Sequence, residues 1–399
     1  MKKRTKEMLS FKKHITEQTE EDKLKHLEHV EDHVIHGGEQ GFAHAFHNLN
    51  DVHNKLLGGQ NDTKITVKYD GSPSVVFGKH PDTGKFFVGS KSVFNKKPKI
   101  NYTPEDIDKN HGHSPGLTQK LKAALAHLPK VHSGEGVYQA DIMHTKGDVR
   151  HDGTRVHYTP NTITYHHDSS SEHAQKAMNS QIGIAVHTKY EGKNFADMKA
   201  VHGADIELND HPDVHNLSVQ HDLSKVAYTQ EQQSEYKKHM AAATEVFKKT
   251  KKEAHAHVGK HAEHIKTYIN QTVRDGSEPN HDDFIKHYTA HHDKKIAGVK
   301  SPAAKARHTA TRDNAIAHAS KSKEHITSVL QMHKHLQNAK NVLTNALASH
   351  SEVGHEIGGL PTKPEGYVVH RNGRPSKFVA RHEFSAANFA RGDELKKGK

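Results

Sequence analysis

Between about residues 231 and 350 this chain carries a long stretch rich in Ala, Lys, His and Glu, poor in glycine and free of strand-like alternation. Stretches of the opposite kind flank it. From Lys64 onward, and again after about residue 351, apolar residues recur at the two-residue period of strands, punctuated by Gly, Pro and Asn turns. A chain so divided cannot be a helical bundle alone or a β-sandwich alone. It reads as an α+β domain interrupted by a helical insertion.

The local signals set the boundaries. Residues 1–22 are charged and read as a flexible basic tail. Residues 23–59 read as two packing helices: Leu24, Leu27, Val30 and Val34 recur at helical spacing up to Gly37-Gly38. Phe42, Phe46, Leu49 and Leu56 then share one face, ended by Gly58-Gly59. A first strand-rich segment, 60–230, contains a hairpin from Ser74–Gly78 and Lys85–Ser90 around Pro81-Asp82-Thr83-Gly84. Ser114-Pro115 opens a helix carrying Leu117, Leu121, Leu125 and Leu128 and ending at Pro129. Strands are expected at Gly136–Met143, Arg155–Tyr158, Thr162–Tyr165 and Ile182–His187. Breaks in the helical stretch fall near Asp275-Gly276 and at Ser301-Pro302. Within 351–399, Gly366–His370 and Lys377–Arg381 flank an Asn372-Gly373 hairpin turn.

Composition narrows the class. Of 399 residues, 32% are hydrophobic, so the core is modest, but the apolar residues are clustered in a way that excludes wholesale disorder. There is no cysteine, which rules out disulfides and thiolate metal sites and fits a reducing cytoplasm. No apolar run reaches the length of a membrane span and the start lacks a signal peptide, so a soluble cytoplasmic protein with no membrane partner is expected. The net charge of +11 points to a polyanionic partner, nucleic acid first. Lys248, Lys249, Lys251 and Lys252 in the helical stretch are the candidate phosphate-tracking residues; the competing reading is a solvated helix face. The 42 histidines are scattered through every segment and read as a compositional habit. That applies to His257, His261 and His264, whose helical spacing suits a transition metal, and to the pairs His111/His113 and His166/His167.

The polar residues carried on strands form an ordered series. Lys68-Tyr69-Asp70-Gly71 ends the strand-like run Ile65–Val67, a placement that suits a nucleophilic amine held on a rigid element before a tight turn. Ser90-Lys91-Ser92 follows, then Asp141 in Tyr138–Ile142 with Glu135 upstream, the apolar strand Ile182–His187, Glu365 before Gly366–Val369, and Ser376-Lys377-Phe378. Taken alone, the Lys-x-Asp-Gly is an ordinary strand-end turn more often than a catalytic motif.

In this order the segments resemble motifs I, Ia, III, IIIa, IV and V of the covalent nucleotidyltransferase superfamily, which includes ATP-dependent DNA ligases, RNA ligases and mRNA capping enzymes. The whole chain further resembles an uncharacterised family of tailed-phage proteins with the same Lys-x-Asp-Gly arrangement. The resemblance implies a ligase-type adenylation domain with ATP-grasp-like antiparallel sheets. It implies Lys68 as the nucleophile that takes AMP from ATP, and nucleotide contacts from Asp70, Gly71, Lys91, Asp141, His187, Glu365 and Lys377. Asp141 and Glu365 would hold Mg²⁺ or Mn²⁺, and the acceptor would be an RNA or DNA end. The departures are specific. Ser72-Pro73 stands where many ligases carry an arginine, and Asp141 and Ala140 replace the usual Glu and Gly of motif III. Motif V keeps one lysine of two, with Arg381 the nearest substitute, and there is no segment for a C-terminal OB domain. The alternative is a non-catalytic phage protein that keeps the fold as a nucleic-acid or virion interaction module.

Overall fold

The computed structural model describes residues 27–134 and 136–381, a mixture of helices and mainly antiparallel sheets. The expected basic tail, Leu24, Glu135 and the end of the last segment lie outside the described residues. After a 3₁₀ turn at Val30–Asp32, helix α1 covers His33–Leu56 and strand β1 covers Lys64–Lys68. Strands β2 (Ser74–Lys79) and β3 (Phe86–Gly89) precede helices α2 (Pro104–His111) and α3 (Pro115–His127). Then come β4 (Val137–Thr145), β5 (Arg150–His151), β6 (Arg155–Tyr158), β7 (Thr164–Asp168), α4 (Glu172–Asn179), β8 (Ile182–Glu191), β9 (Lys199–His202) and β10 (Val214–Asn216). Helices α5 (Gln230–Lys249), α6 (Lys252–Gly259), α7 (Ala262–Asp275), α8 (His281–Ala297), α9 (Pro302–Lys321) and α10 (Lys323–Leu347) fill the next stretch. The last strands are β11 (Gly354–Ile357), β12 (Leu360–Pro361), β13 (Gly366–Arg371) and β14 (Arg374–Val379). Among the described residues, no helix is long and apolar enough to cross a membrane.

The chain divides into two compact units, and the division does not follow the expected insertion. One unit takes Tyr69–Val219 and Val353–Leu360; the other takes Glu28–Lys68, Gln220–Glu352 and the chain from Pro361 onward. Helices α5–α10 are therefore not a body of their own. Val34, Phe42, Leu49 and Val52 of α1, Ile65 of β1, and Tyr367, Val369 and Phe378 of β13 and β14 share one apolar core with Tyr236, Ile265, Phe284, Leu336 and Leu343 of the helical stretch. The reason lies in the three-stranded sheet β1–β13–β14, whose single apolar face needs a partner layer. Helices α1 and α5–α10 together supply it.

The other unit is built on a six-stranded sheet in the order β10–β8–β4–β2–β3, with β9 added to β8, and a smaller sheet β12–β11–β7–β6–β5. Tyr138, Ala140 and Ile142 of β4 pack with Leu121, Ala124 and Leu128 of the α3 region. On the opposite face Val76, Phe87, Val137, Tyr190 and Phe195 form a second cluster.

Several local expectations hold. The Pro81–Gly84 turn joins β2 to β3, Asn372 and Gly373 both take positive φ in the last hairpin, and Gly276 and Pro302 mark helix boundaries. Gly38 interrupts α1 with non-helical angles where the Gly37-Gly38 stop was expected. Ser114 precedes α3 but makes no side-chain cap. The last strand starts earlier and ends earlier than expected, at Val379, so Arg381 lies beyond it.

Candidate active site

Lys68 ends β1 opposite Gly366, the first residue of β13. Directly opposed residues of antiparallel strands project to the same side. Ile65 and Val67, with Tyr367, Val369 and Phe378, face the helical core. Lys64, Thr66 and Lys68 therefore occupy the other face, and the register Thr66–Val368–Lys377 puts Lys377 on that face too. Strict alternation would send Glu365, the residue before Gly366, to the core side. Instead the Lys68 Nζ donates to both Glu365 oxygens at 2.5 Å, and Glu365 is only 7% exposed.

Gly366 accommodates that turn. Its φ of +155° is rare for an L side chain, and a Cβ there would sit 2.4 Å from the Phe378 carbonyl oxygen. The expected trio Lys68, Glu365 and Lys377 is thus carried on one small sheet, with the lysine's charge neutralised by a buried carboxylate across the strand pair.

The other expected residues belong to the other unit, the chain passing from one to the other between Lys68 and Tyr69. Asp70 is buried and serves the protein's own backbone. Its Oδ1 accepts from Asn161 Nδ2 at 2.7 Å, and its Oδ2 accepts from the Thr162 and Ile163 amides at 2.8 and 3.1 Å. Gly71 lies against β4: a Cβ there would be 2.5 Å from the Asp141 Cβ and 2.9 Å from the Met143 Sδ. Both motif glycines are therefore required by close approach.

Asp141 stands opposite Ser74 on β2 and Ala185 on β8. The β4–β8 ladder shifts register between Gln139 and Ala140, since Gln139 pairs with Thr188 and Ala140 with Val186. His187 is the extra residue of this bulge, and bulges re-aim side chains. It points its Nε2 to within 3.7 Å of Asp141 Oδ1, while its Nδ1 is 2.8 Å from Thr188 Oγ1.

Lys91 is not on the return strand of the hairpin as expected. It opens a 3₁₀ turn, Lys91–Phe94, just after β3, because the Ser90 side chain accepts from the Ser92 amide and turns the chain. Lys91 and His187 share a neighbour in His202. Burial pushes His202 on β9 down to about 4, and His187 and Lys91 push it the same way.

Two residues were missed by sequence reasoning. His202 had no signal beyond being one histidine among many. Lys120 on α3 donates to the Ser72 carbonyl at 2.8 Å, next to Gly71, and burial lowers its pKa. Its position beside the buried Leu121 was the only hint.

Other expectations resolve differently. Arg381 does not stand in for the second motif V lysine: it is buried and makes paired bonds to Asp32 at 2.8 and 2.7 Å. Lys248, Lys249, Lys251 and Lys252 are exposed around the α5–α6 junction, with Lys249 paired to Glu245 at 2.6 Å. The spacing of His257, His261 and His264 does not create one site. His257 and His261 each bond His318, whereas His264 packs on Tyr288, His291 and His292.

Asp141 and Glu365 belong to no three-ligand group of His, Asp or Glu among the described residues. The two belong to different units, and each alone is the kind of hard oxygen donor that Mg²⁺ accepts beside non-protein oxygens.

No curated protein and no solved structure matches this chain. Over residues 22–392 it matches the profile of a family of unknown function, DUF6267, and it is a member of that family.

Proposed function

We propose that the chain is a ligase-like nucleotidyltransferase that takes AMP from ATP onto Lys68 and passes it to a nucleic-acid end. The observation that supports this best is the lysine held against a nearly buried glutamate at a glycine-dictated turn. In the proposed reaction the Lys68 Nζ lone pair attacks the α-phosphorus, the bond to the β-phosphate oxygen breaks, and pyrophosphate leaves. A protonated amine cannot do this. Lys68 Nζ donates to both Glu365 oxygens, so in this reading the amine hands its proton to the Glu365 carboxylate as it attacks.

Lys377, on the same sheet face, contacts phosphate in this reading; in the other unit, the resemblance alone assigns nucleotide contacts to Lys91 and to Asp141, whose Oδ1 is 3.7 Å from His187 Nε2. A divalent cation held by Asp141 or Glu365 would supply charge neutralisation at the phosphate. Asp70 and Gly71 act by fixing the turn.

Self-labelling with α-phosphate-labelled ATP, and GTP in parallel, with Mg²⁺ or Mn²⁺ tests the reading. Acid-labile, alkali-stable label on denatured wild type, absent from Lys68→Ala, is the expected result. The second reading, a non-catalytic nucleic-acid-binding module, draws on the exposed lysines at the α5–α6 junction and on Arg381 being committed to Asp32. It predicts no label, with salt-sensitive polynucleotide binding that survives Lys68→Ala and falls when Lys248, Lys249, Lys251 and Lys252 become Gln.

A further inference from the structure

Away from Lys68 and its partners, one cluster combines two imidazoles and a carboxylate at metal-ligand spacing. Glu28 precedes the 3₁₀ turn that leads into α1, and His33 and His36 sit in the first turn of that helix, three residues apart and so on one side of it. One ligand atom from each of the three lies within 4.8 Å of the others. Glu28 Oε2 is 3.0 Å from His36 Nε2 and 3.5 Å from His33 Nδ1. A tetrahedral zinc with bonds of about 2.0–2.2 Å spaces its ligand atoms about 3.4 Å apart, so an ion could replace the His–carboxylate pairings with small side-chain shifts.

The surrounding hydrogen bonds hold the cluster in place. Asn48 Nδ2 donates to the His44 carbonyl at 2.8 Å, His44 Nε2 lies 3.1 Å from Ser376 Oγ, and Ser376 Oγ lies 3.3 Å from His33 Nε2. In the tautomer in which His33 donates through Nε2 to Ser376 Oγ, its Nδ1 lone pair faces Glu28 Oε2 at 3.5 Å and can ligate a cation there. The other carboxylate oxygen is already oriented, because Lys266 Nζ donates to Glu28 Oε1 at 2.8 Å. The pattern of an imidazole whose second nitrogen is fixed by a hydroxyl, and a carboxylate whose second oxygen is fixed by a lysine, is the outer-shell support that metal ligands receive.

We propose that Glu28, His33 and His36 form a binding site for a borderline divalent transition metal of the Zn²⁺ class, with an open fourth position. The donor set of two imidazoles and one carboxylate selects that class over Mg²⁺ or Ca²⁺, which take oxygen ligands. Solvent reaches the cluster, since the His36 side chain is 38% exposed. The bound ion joins the segment before α1 to α1 itself, and the same segment is held to β14 by the Lys377 amide, which donates to the Glu28 carbonyl at 2.8 Å.

The test uses the full chain, freed of metal with a chelator and titrated with Co²⁺, whose visible bands report ligand number and geometry. One saturable equivalent, displaced by Zn²⁺, is expected in wild type. Glu28→Gln and His36→Gln should lose it while keeping the wild-type far-UV circular dichroism. Ser376→Ala should keep the one-equivalent stoichiometry with an affinity about 10–100-fold weaker. His264→Gln, in the separate imidazole group around Tyr288, should bind as wild type does. Absence of a one-equivalent class in wild type overturns the proposal. So does its survival in folded Glu28→Gln and His36→Gln, which would assign the metal to adventitious surface histidines.

Discussion

Replacing Lys340 by Met should destabilise the chain by about 3 kcal/mol or more, because it strands a buried anion. Lys340 and Glu31 are both fully buried, and the Lys340 Nζ donates to Glu31 Oε1 at 2.6 Å. Glu31 Oε2 has no hydrogen-bond partner among the described residues, so the carboxylate depends on that one ammonium. Arg381 offers partial relief at 3.9 Å, but its guanidinium is already paired with Asp32. Breaking a buried pair from one side costs about 3–5 kcal/mol, and the Arg381 charge places this case toward the lower end. Removing both charges, as in Glu31→Leu with Lys340→Met, should return stability to within about 1–2 kcal/mol of wild type, a coupling of 2 kcal/mol or so.

The chain has no tryptophan, so urea unfolding is followed by circular dichroism of its helices. The pH dependence supplies a second signature. Burial pushes Glu31 up, but Lys340, His29 and Arg381 outweigh it and hold the carboxyl at about 2, below its ordinary 4.5. A carboxylate with a lowered folded pKa contributes stability above the unfolded value and loses it as pH falls through the folded value. In wild type that contribution is present at pH 5 and fades toward pH 2. In Lys340→Met the carboxyl loses its main counter-charge, so the penalty should shrink between pH 7 and 4 as Glu31 takes up a proton. A penalty under 1 kcal/mol at pH 7, or one that does not change over that range, would refute the reasoning.

Gly71→Ala should cost about 1–3 kcal/mol and lower the melting temperature by several degrees, since its Cβ would meet Asp141 Cβ at 2.5 Å; an unchanged melting curve would contradict that packing. Burial, with neighbouring histidines adding to it at His167 and His215, holds His144, His167 and His215 at about 4, 3 and 2. Each stays neutral in the fold while the unfolded chain protonates near 6.5, so each should remove up to about 1.4 kcal/mol per pH unit as pH falls from 6.5 toward its folded value. Thermal unfolding between pH 7 and 5 reads this, and His215→Asn should flatten the slope. Deleting residues 231–350 should abolish cooperative folding of the unit that holds Lys68. It would bare Ile65, Tyr367, Val369 and Phe378, whose burial is worth roughly 6–12 kcal/mol together; a two-state melt of the deleted protein would restore the insertion reading.

What the sequence made legible was whatever is decided within a few residues. The Pro81–Gly84 and Asn372-Gly373 turns, the Pro115 and Pro302 helix starts and the β1, β4, β8 and β13 strands follow from local backbone preference and period. What escaped it depends on partners hundreds of residues away. Nothing local in Arg381 distinguishes a guanidinium available to phosphate from one paired with Asp32, 349 positions earlier. Glu31 and Asp32 fall inside the expected Leu24–Val34 helix with nothing local to set them apart, and both are buried. The helical stretch misled for a related reason: its lack of strand pattern shows that it is a different layer, but a second layer of the same core and an inserted domain have the same local signature. Only the apolar face of β1–β13–β14, which has three strands and one core-facing side, distinguishes them, and that face is assembled from both ends of the chain. The candidate site sits between these cases. The glycines of Asp70-Gly71 and Glu365-Gly366 mark close approaches that a motif can register, whereas the carboxylate that holds Lys68 comes from 297 residues downstream. The motif can nominate the lysine, but the carboxylate that pairs with it is set by the pairing of β1 with β13, which no local pattern contains.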